Sequence, residues 1–268
     1  MKFGVTANPH IASALAAAKD AVARIGREHE VVLEADLAIA LGQKGLPLAH
    51  MRVDVLLAIG GDGTILRALQ LSQAPVLGIN SGSLGFLAEI DASEFGAHLD
   101  RIARREHRIE ERPRLQVLLD GQRLFDCANE AVVHTAQIAK MRTFEILVDG
   151  ASIQRVRADG IIVATPTGST SYSMSVGGPI VDPRVDAILV TAIAPFKPSM
   201  RPFVVPAGSD VRVRLVKPRE CLLVLDGQHE VNLKGTEDLA FTRSDRPAKF
   251  VRFGYDFYRR IEEKLARG

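Results

Sequence analysis

The chain has 268 residues, 47% of them hydrophobic and 25% charged, the profile of an ordinary soluble globular protein long enough for one large domain or two of moderate size. A net charge of +2 and an isoelectric point near 8.6 argue for neither nucleic acid nor a membrane surface as partner, while anionic small molecules fit that balance. No window approaches the length of a membrane span and the first residues lack the apolar core of a signal peptide, so the cytoplasm is the expected compartment.

Residues 2 to 7 read as a first strand, and Ile11, Leu15, Ala18, Val22 and Ile25 mark one face of the helix after it. Further strands are expected at 30 to 34, 53 to 59 and 75 to 79, separated by helical or loop sequence, which predicts a parallel sheet with right-handed crossovers. In such a sheet ligands sit past the carboxyl ends of the strands. There the sequence reads Gly60-Gly61-Asp62-Gly63-Thr64. The three glycines are expected to allow positive φ and expose successive N–H groups, and a helix beginning at Thr64 aims its N-terminus at the same point, which makes a phosphate cradle.

Asp62 is the odd residue in that loop, because a carboxylate beside a phosphate repels it by roughly 1 kcal/mol even at water-like dielectric. Three readings stand: it holds a metal that bridges phosphates, it accepts the proton of an attacking hydroxyl, or it caps the helix, as Thr64 also can. The strand ending at Ile79 opens into a second small-residue loop at 80 to 87, with Phe86 expected as a core aromatic beneath it.

A helix is expected from 93 to 105 with Ser93 as its cap, and the following run of Arg101, Arg104, Arg105, Arg108, Arg112 and Arg114, interleaved with glutamates, reads as a solvated face at a domain junction. Beyond Pro113 the pattern turns to alternating strands. Leu115, Val117 and Leu119 share one face, as do Val211, Val213 and Leu215, and Asp120-Gly121, Asp149-Gly150 and Asp226-Gly227 mark hairpin turns. Cys127 and Cys221 are read as reduced, packed thiols, and no structural zinc is expected. Near the end Phe257, Ile261 and Leu265 give an amphipathic helix, expected to return to the first domain. The expected division is an α/β domain at 1–105, completed by 245–268, and an antiparallel, sandwich-like all-β domain at 106–244 inserted into it.

Within the β region, Asp159-Gly160 and four apolar residues lead into Thr165-Pro166-Thr167-Gly168-Ser169-Thr170-Ser171-Tyr172-Ser173-Met174-Ser175. These hydroxyls are suited to ribose and phosphate oxygens. A turn or helix cap needs one or two hydroxyls, whereas this run carries seven on serine and threonine alone. Asn129 and Glu130 lie in a strand-like run where neighbours face opposite ways, so one of the two is expected at a site and the other in solvent. Taken singly, Lys140, Arg157 and Gln228 read as solvent-facing residues at strand ends.

Together the Gly60 to Thr64 loop, residues 80 to 87, Asn129-Glu130, Asp159-Gly160 and the segment from Thr165 to Tyr172 with Gly177-Gly178-Pro179 resemble the NAD kinases. That resemblance implies an α/β domain with the phosphate loop and a β-rich NAD-binding domain, and transfer of a phosphoryl group from ATP or polyphosphate to the 2′-hydroxyl of the adenosine ribose of NAD. It implies Asp62 as catalytic base; Gly60, Gly61, Gly63 and Thr64 as the phosphate loop; and contacts to the dinucleotide or donor from Asp62, Gly63 and Arg67. Phe86 would stack near a base, and Asn129, Glu130 and Asp159 would hydrogen-bond NAD. Lys140, Arg157, Ala194 and Gln228 fall where family members often touch the nucleotide, and Thr167, Thr170, Ser171, Tyr172, Ser173, Met174 and Ser175 would line its pocket.

The resemblance further implies Mg²⁺ or another divalent cation with the donor, no tightly bound prosthetic group, no protein-held metal, and a homodimer or homotetramer whose neighbouring β domain completes the pocket. Two departures from the family pattern are Ser171, where alanine is usual, and Asn80-Ser81-Gly82-Ser83 in place of Asn-Thr-Gly. The glycine loop is shared with diacylglycerol and sphingoid lipid kinases, and a non-catalytic dinucleotide sensor could use the same scaffold. Those are the rival readings.

Overall fold

A computed structural model describes residues 1–82, 85–197 and 201–265, with 83–84, 198–200 and 266–268 outside the described residues. The chain forms two compact units, Met1–Glu111 with Ala248–Gly268, and Arg112–Pro247. The first boundary lies past Arg105 because the strand Arg108–Arg112 joins the first unit's sheet beside Ala248–Arg252.

The first unit is built on a sheet whose order is Gly45–Leu46, Glu30–Glu34, Lys2–Ala7, Val55–Gly60, Val76–Asn80, Ala248–Arg252 and Arg108–Arg112, with Ile90–Asp91 pairing to Val76–Asn80. Its pairings from Gly45–Leu46 across to Val76–Asn80, and from there to Ala248–Arg252 and Ile90–Asp91, are parallel. Central strands are buried throughout, which is why they read as continuous apolar runs. The first helix, Ala12–Ile25, buries Ile25 with Ala14, Ala18 and Ala21, the alanines being small enough to let it lie close on the sheet. That face shares Ala18 and Ile25 with the one expected from spacing but is turned toward Ala14 and Ala21. Ile11 is the N-cap and is exposed, while Leu15 and Val22 are only partly buried.

Three further expectations are corrected. The helix after the glycine loop spans Asp62–Leu71 and starts two residues before Thr64, with Gly61 as N-cap. The expected helix from 93 is a short 3-10 turn, Ala92–Glu94, followed by Phe95–Ala103, and its start is Asp91, whose N–H is accepted by Glu94 at 2.8 Å, rather than Ser93. Arg112 and Arg114 are buried to 3% exposure and belong to no solvated face; Arg114 Nε donates to the Arg246 carbonyl and its guanidinium lies 3.9 Å from Asp126.

The second unit is a sandwich of two antiparallel sheets. One runs Phe203–Pro206, Ala187–Ile193, Gly160–Ala164, Glu130–Thr135, Cys221–Leu225, His229–Leu233; the other runs Ala151–Ala158, Arg142–Val148, Val211–Leu215, Leu239–Arg243, Leu115–Leu119, Gln122–Arg123. Val117, Phe144, Val213 and Phe241 from one inner face pack with Val133, Ile161, Val190 and Leu223 from the other. At the turns Asp120, Asp149 and Asp226 have φ of 50°, 51° and 51°, with positive φ at the glycine that follows each. That is the left-handed conformation the Asp-Gly dipeptides supply. Cys127 and Cys221 are free and buried. The last helix, Phe257–Leu265, has no fully buried residue, and among the described residues no helix is long and apolar enough to cross a membrane.

Gly78 ties the sheet to the glycine-loop helix, since a Cβ there would stand 2.6 Å from Ile65 Cδ1 and 3.1 Å from the Ala88 backbone. Gly78→Ala is therefore expected to lower unfolding stability by about 1–3 kcal/mol through overpacking, read as a lower urea midpoint.

Candidate active site

In the first unit, the strand Val55–Gly60 delivers the glycine loop to the carboxyl edge of the sheet and the helix Asp62–Leu71 leaves from it. Gly60 alone of the three glycines has positive φ, 156°, and a Cβ there would meet Thr64 Oγ1 at 2.6 Å. Gly61 is extended (φ −91°, ψ −176°) and Gly63 lies inside the helix, so the cradle depends on one left-handed glycine and a bare helix N-terminus. In that first turn the Thr64 N–H is accepted by the Gly61 carbonyl at 3.0 Å, and the N–H groups of Asp62 and Gly63 lie at the positive end of the helix dipole.

Asp62 is the first residue of this helix, and no side-chain hydrogen bond caps the helix. Its carboxylate instead accepts the N–H of Phe86 at 2.8 Å and of Leu87 at 3.1 Å from the second loop. Gly85 is required at this approach because any Cβ would collide with the carboxylate. Phe86 is half-buried rather than a core ring, with Lys264 Nζ 5.6 Å from its centroid. Asn80, at the end of its strand, donates to Asp91 at 2.7 Å and to the Gly82 carbonyl at 3.1 Å. Ser83 and Leu84 of this predicted loop lie outside the described residues. Arg67 is ion-paired with buried Glu34 at 2.8 Å and with Asp36 at 3.8 Å.

In the second unit a separate polar cluster forms where Glu130–Thr135, Gly160–Ala164 and Cys221–Leu225 end side by side. Its organiser is Asp226, which is buried and accepts the backbone N–H groups of Ala128, Asn129 and Glu130 at 2.7, 2.8 and 3.0 Å. Burial pushes its carboxyl up to about 6 despite those bonds. The sequence marked Asp226 only as a turn residue, and nothing local separates it from Asp120 or Asp149, whose carboxylates cap exposed backbone N–H groups at Asp238 and Asp210.

Asn129 and Glu130 are both buried, at 5% and 6% exposure, where one of the two was expected in solvent. The cause is backbone anchoring: Asp226 holds their N–H groups, Thr165 N–H donates to the Asn129 carbonyl at 2.8 Å, and Gly168 packs so closely on Asn129 that no Cβ would fit. Burial, then the nearby charge of Asp226, raises Glu130 to about 8. Asn129 Oδ1, Glu130 Oε2 and Thr167 Oγ1 are all buried and have no hydrogen-bond partner among the described residues, although the Tyr172 backbone also reaches the Glu130 carboxyl.

The hydroxyl run folds as a 3-10 turn, Thr167–Thr170, and one helical turn, Tyr172–Ser175. Most of its hydroxyls serve its own fold. Thr165 donates to the Ala128 carbonyl at 2.6 Å, Ser169 to that of Val181 at 3.1 Å and Thr170 to that of Thr167 at 3.3 Å, while Ser173 pairs with Thr191 at 3.2 Å. Ser171 donates to Glu130 Oε1 at 3.2 Å, so the hydroxyl that departs from the family pattern is satisfied. Tyr172 and Ser175 are exposed and Met174 half-buried.

Lys140, Arg157, Ala194 and Gln228 are exposed. Arg157 and Asp159 lie beside Ala194: Asp159 N–H donates to the Ile193 carbonyl at 3.0 Å, Phe196 N–H to that of Arg157 at 2.8 Å, and the Arg157 guanidinium covers the Phe196 ring at 5.0 Å. Thr135 joins Lys140 to this group, donating from Oγ1 to the Lys140 carbonyl at 3.0 Å and from N–H to that of Asp159 at 2.9 Å, whereas among the described residues no observed contact joins Gln228 to it.

The model of the ATP-NAD kinase N-terminal domain matches residues 5–107 and that of the ATP-NAD kinase C-terminal domain residues 128–253. An NAD kinase of Methanothermobacter thermautotrophicus is 42% identical over 276 aligned residues, covering 100% of this chain and 97% of the relative. Yeast NADH kinase, solved in complex with NADH, superposes with a TM-score of 0.91 at 26% identity over 99% of this chain and 87% of its own. An NAD kinase from Archaeoglobus fulgidus, solved with ATP, gives 0.78 at 29% identity over 100% and 98%. With both units matched in order and relatives aligned over nearly their whole length, the chain belongs to the NAD kinase family.

Proposed function

We propose that this chain transfers a phosphoryl group from ATP or polyphosphate to the 2′-hydroxyl of the adenosine ribose of NAD, giving NADP. The observation that carries the reading is Asp62: an acidic side chain at a phosphate-binding helix N-terminus that does not cap its helix and is aimed by two N–H groups of another loop. Asp62 takes the proton as the ribose oxygen bonds to the donor's terminal phosphorus, and the bond to the leaving phosphate breaks with its electron pair going to the bridging oxygen. Gly60, Gly61 and Gly63 hold the donor by backbone N–H groups, Thr64, whose N–H is taken by the Gly61 carbonyl, offers its hydroxyl, and Gly63 and Arg67 border it. A divalent cation, Mg²⁺, enters as part of the donor complex and offsets its charge.

In the second unit Asn129, Glu130, Thr167, Ser171, Tyr172, Met174 and Ser175 recognise the dinucleotide, while Thr170 and Ser173, whose hydroxyls are taken by Thr167 and Thr191, hold the turn that carries them. In the first unit Phe86 stacks near a base. Support comes from the three partnerless buried atoms, Asn129 Oδ1, Glu130 Oε2 and Thr167 Oγ1, which a ligand rich in hydroxyl and amide groups would satisfy. Arg157, Asp159, Ala194, Lys140 and Gln228 complete nucleotide contacts, some of them in a partner subunit's pocket, within a cytoplasmic homodimer or homotetramer. The exposed group of Arg157, Ala194 and Phe196 favours that arrangement.

Incubation of the purified protein with NAD, ATP or polyphosphate, and Mg²⁺ is expected to yield NADP. A tight NAD complex without product would instead indicate a sensor, and phosphorylation of a lipid a lipid kinase. Asp62→Asn is expected to lower kcat by at least about 10²-fold with NAD affinity kept within about tenfold; near-normal turnover would reject the base.

Glu130 gives a second expectation. Its ordinary value of 4.5 rises to about 8 in the fold, so between those pH values the unfolded chain has released a proton that the folded chain still holds. Stability of the unliganded protein should therefore fall as pH rises from about 5 to about 8. Glu130→Gln should flatten that fall, leaving the smaller slope below pH 6 that belongs to Asp226, with urea midpoints across the range as the measurement.

A further inference from the structure

From the contacts on either side of the second loop, we infer that Tyr255, Arg252 and Arg260 are positioning residues for Asp62, acting through the peptide groups of residues 86–89; the inference rests on Asp62 being the base. The N–H groups of Phe86 and Leu87 face the Asp62 carboxylate. The carbonyls of the same stretch are all taken by the end of the last strand and the segment that follows it. Tyr255 Oη donates to the Phe86 carbonyl at 2.9 Å, Arg252 Nη1 to that of Leu87 at 3.1 Å, and Arg260 Nη2 to those of Ala88 and Glu89 at 3.2 and 3.4 Å.

The donors are themselves fixed. Arg252, with no exposed side-chain surface, is paired with Glu89 at 3.2 Å and Glu110 at 2.8 Å, and its guanidinium lies 4.1 Å from the Tyr255 ring centroid and 4.5 Å from that of Phe250. Glu89 in turn accepts the N–H groups of Phe253 and Gly254 at 2.6 and 2.9 Å. A peptide unit is planar, so fixing a carbonyl fixes the direction of the N–H on the same unit. Holding the Phe86 carbonyl therefore aims the Leu87 N–H at Asp62 Oδ1, and loss of that hold lets the carboxylate swing. Proton abstraction needs the base within hydrogen-bond reach of the hydroxyl, whereas ground-state binding of NAD does not use this bond. The clamp should thus appear in kcat and leave KM alone.

Tyr255→Phe removes one hydroxyl and keeps the ring on Arg252. The expected result is a fall of about tenfold in kcat with KM for NAD within about twofold, a urea midpoint near that of the unaltered protein, and faster amide hydrogen exchange at Phe86 and Leu87 with other amides unchanged. Arg260→Met should lower kcat likewise, and Arg260→Lys, which keeps a donor, should restore most of it. Unchanged kcat with unchanged exchange at the two amides would overturn the inference, as would loss of kcat, KM and the urea midpoint together. The amide exchange tests the clamp even where no NADP forms, and an inactive Asp62→Asn beside a fully active Tyr255→Phe would sink the clamp while sparing the base.

Discussion

The contact on which the catalytic reading depends is a carboxylate accepting two backbone N–H groups from a distant loop: Asp62 with Phe86 and Leu87. An aspartate in the first turn of a helix is ordinarily a cap or a favourable charge at the dipole's positive end. Here the chain has given up the side-chain cap, since Gly61 occupies that position and no side chain closes it. Thr64 N–H is taken by the Gly61 carbonyl, and the N–H groups of Asp62 and Gly63 lie at the end that attracts an anion, while the acidic group faces sideways. A phosphate and a carboxylate can then share one helix terminus without contesting the same donors, which resolves the repulsion that makes Asp62 look misplaced in a glycine loop.

The second unit repeats the device with other residues. Asp226 gathers the N–H groups of three successive residues, and those residues present Asn129 and Glu130 inward. In both units a glycine makes the close approach possible. Gly85 lies against the Asp62 carboxylate, and Gly168 lies against the Asn129 backbone. Neither glycine is there for a left-handed turn, since neither has positive φ. Each is a place where a Cβ would push a loop off the group it presents, and a substitution at either would act on the site through distance.

The periodic parts of the fold were legible because one face or both faces of an element are buried over several residues. The parallel strands, the alternating strands of the sandwich and the Asp-Gly hairpins all appear where the pattern puts them. What escaped was set by contacts between residues far apart in the chain. Arg112 and Arg114 look like members of a solvated charge run, yet Arg114 is buried by the Arg246 carbonyl and Asp126. Asp226 is indistinguishable in sequence from two exposed turn aspartates. The contacts of Tyr255 and Arg260 with residues 86 to 89 span more than 160 positions, as the separations of 169 and 172 show. The site motifs were visible as residue types, but which atom of each faces a ligand depends on those long-range anchors.

The hydroxyl-rich segment shows the same limit from the other side. Its abundance of serine and threonine suggested a lining of donors for sugar and phosphate, but Thr165, Ser169, Thr170 and Ser173 spend their hydroxyls on the protein itself. Those bonds hold the turn that carries Gly168 against the Asn129 backbone and Thr167, whose buried Oγ1 has no hydrogen-bond partner among the described residues. Glu130 then sets the charge of the cluster. With its carboxyl raised to about 8, it is protonated at neutral pH and brings a donor and an acceptor instead of a negative charge. A dinucleotide carries its own negative charge on the pyrophosphate, so a neutral acid here avoids the repulsion that an ionised one would add. The proposed role of Asp62 has the opposite requirement, because a carboxyl group takes a proton only when it is ionised. The two acids differ in environment: Glu130 at 6% exposure beside a second buried acid, and Asp62 half-buried and facing two N–H groups.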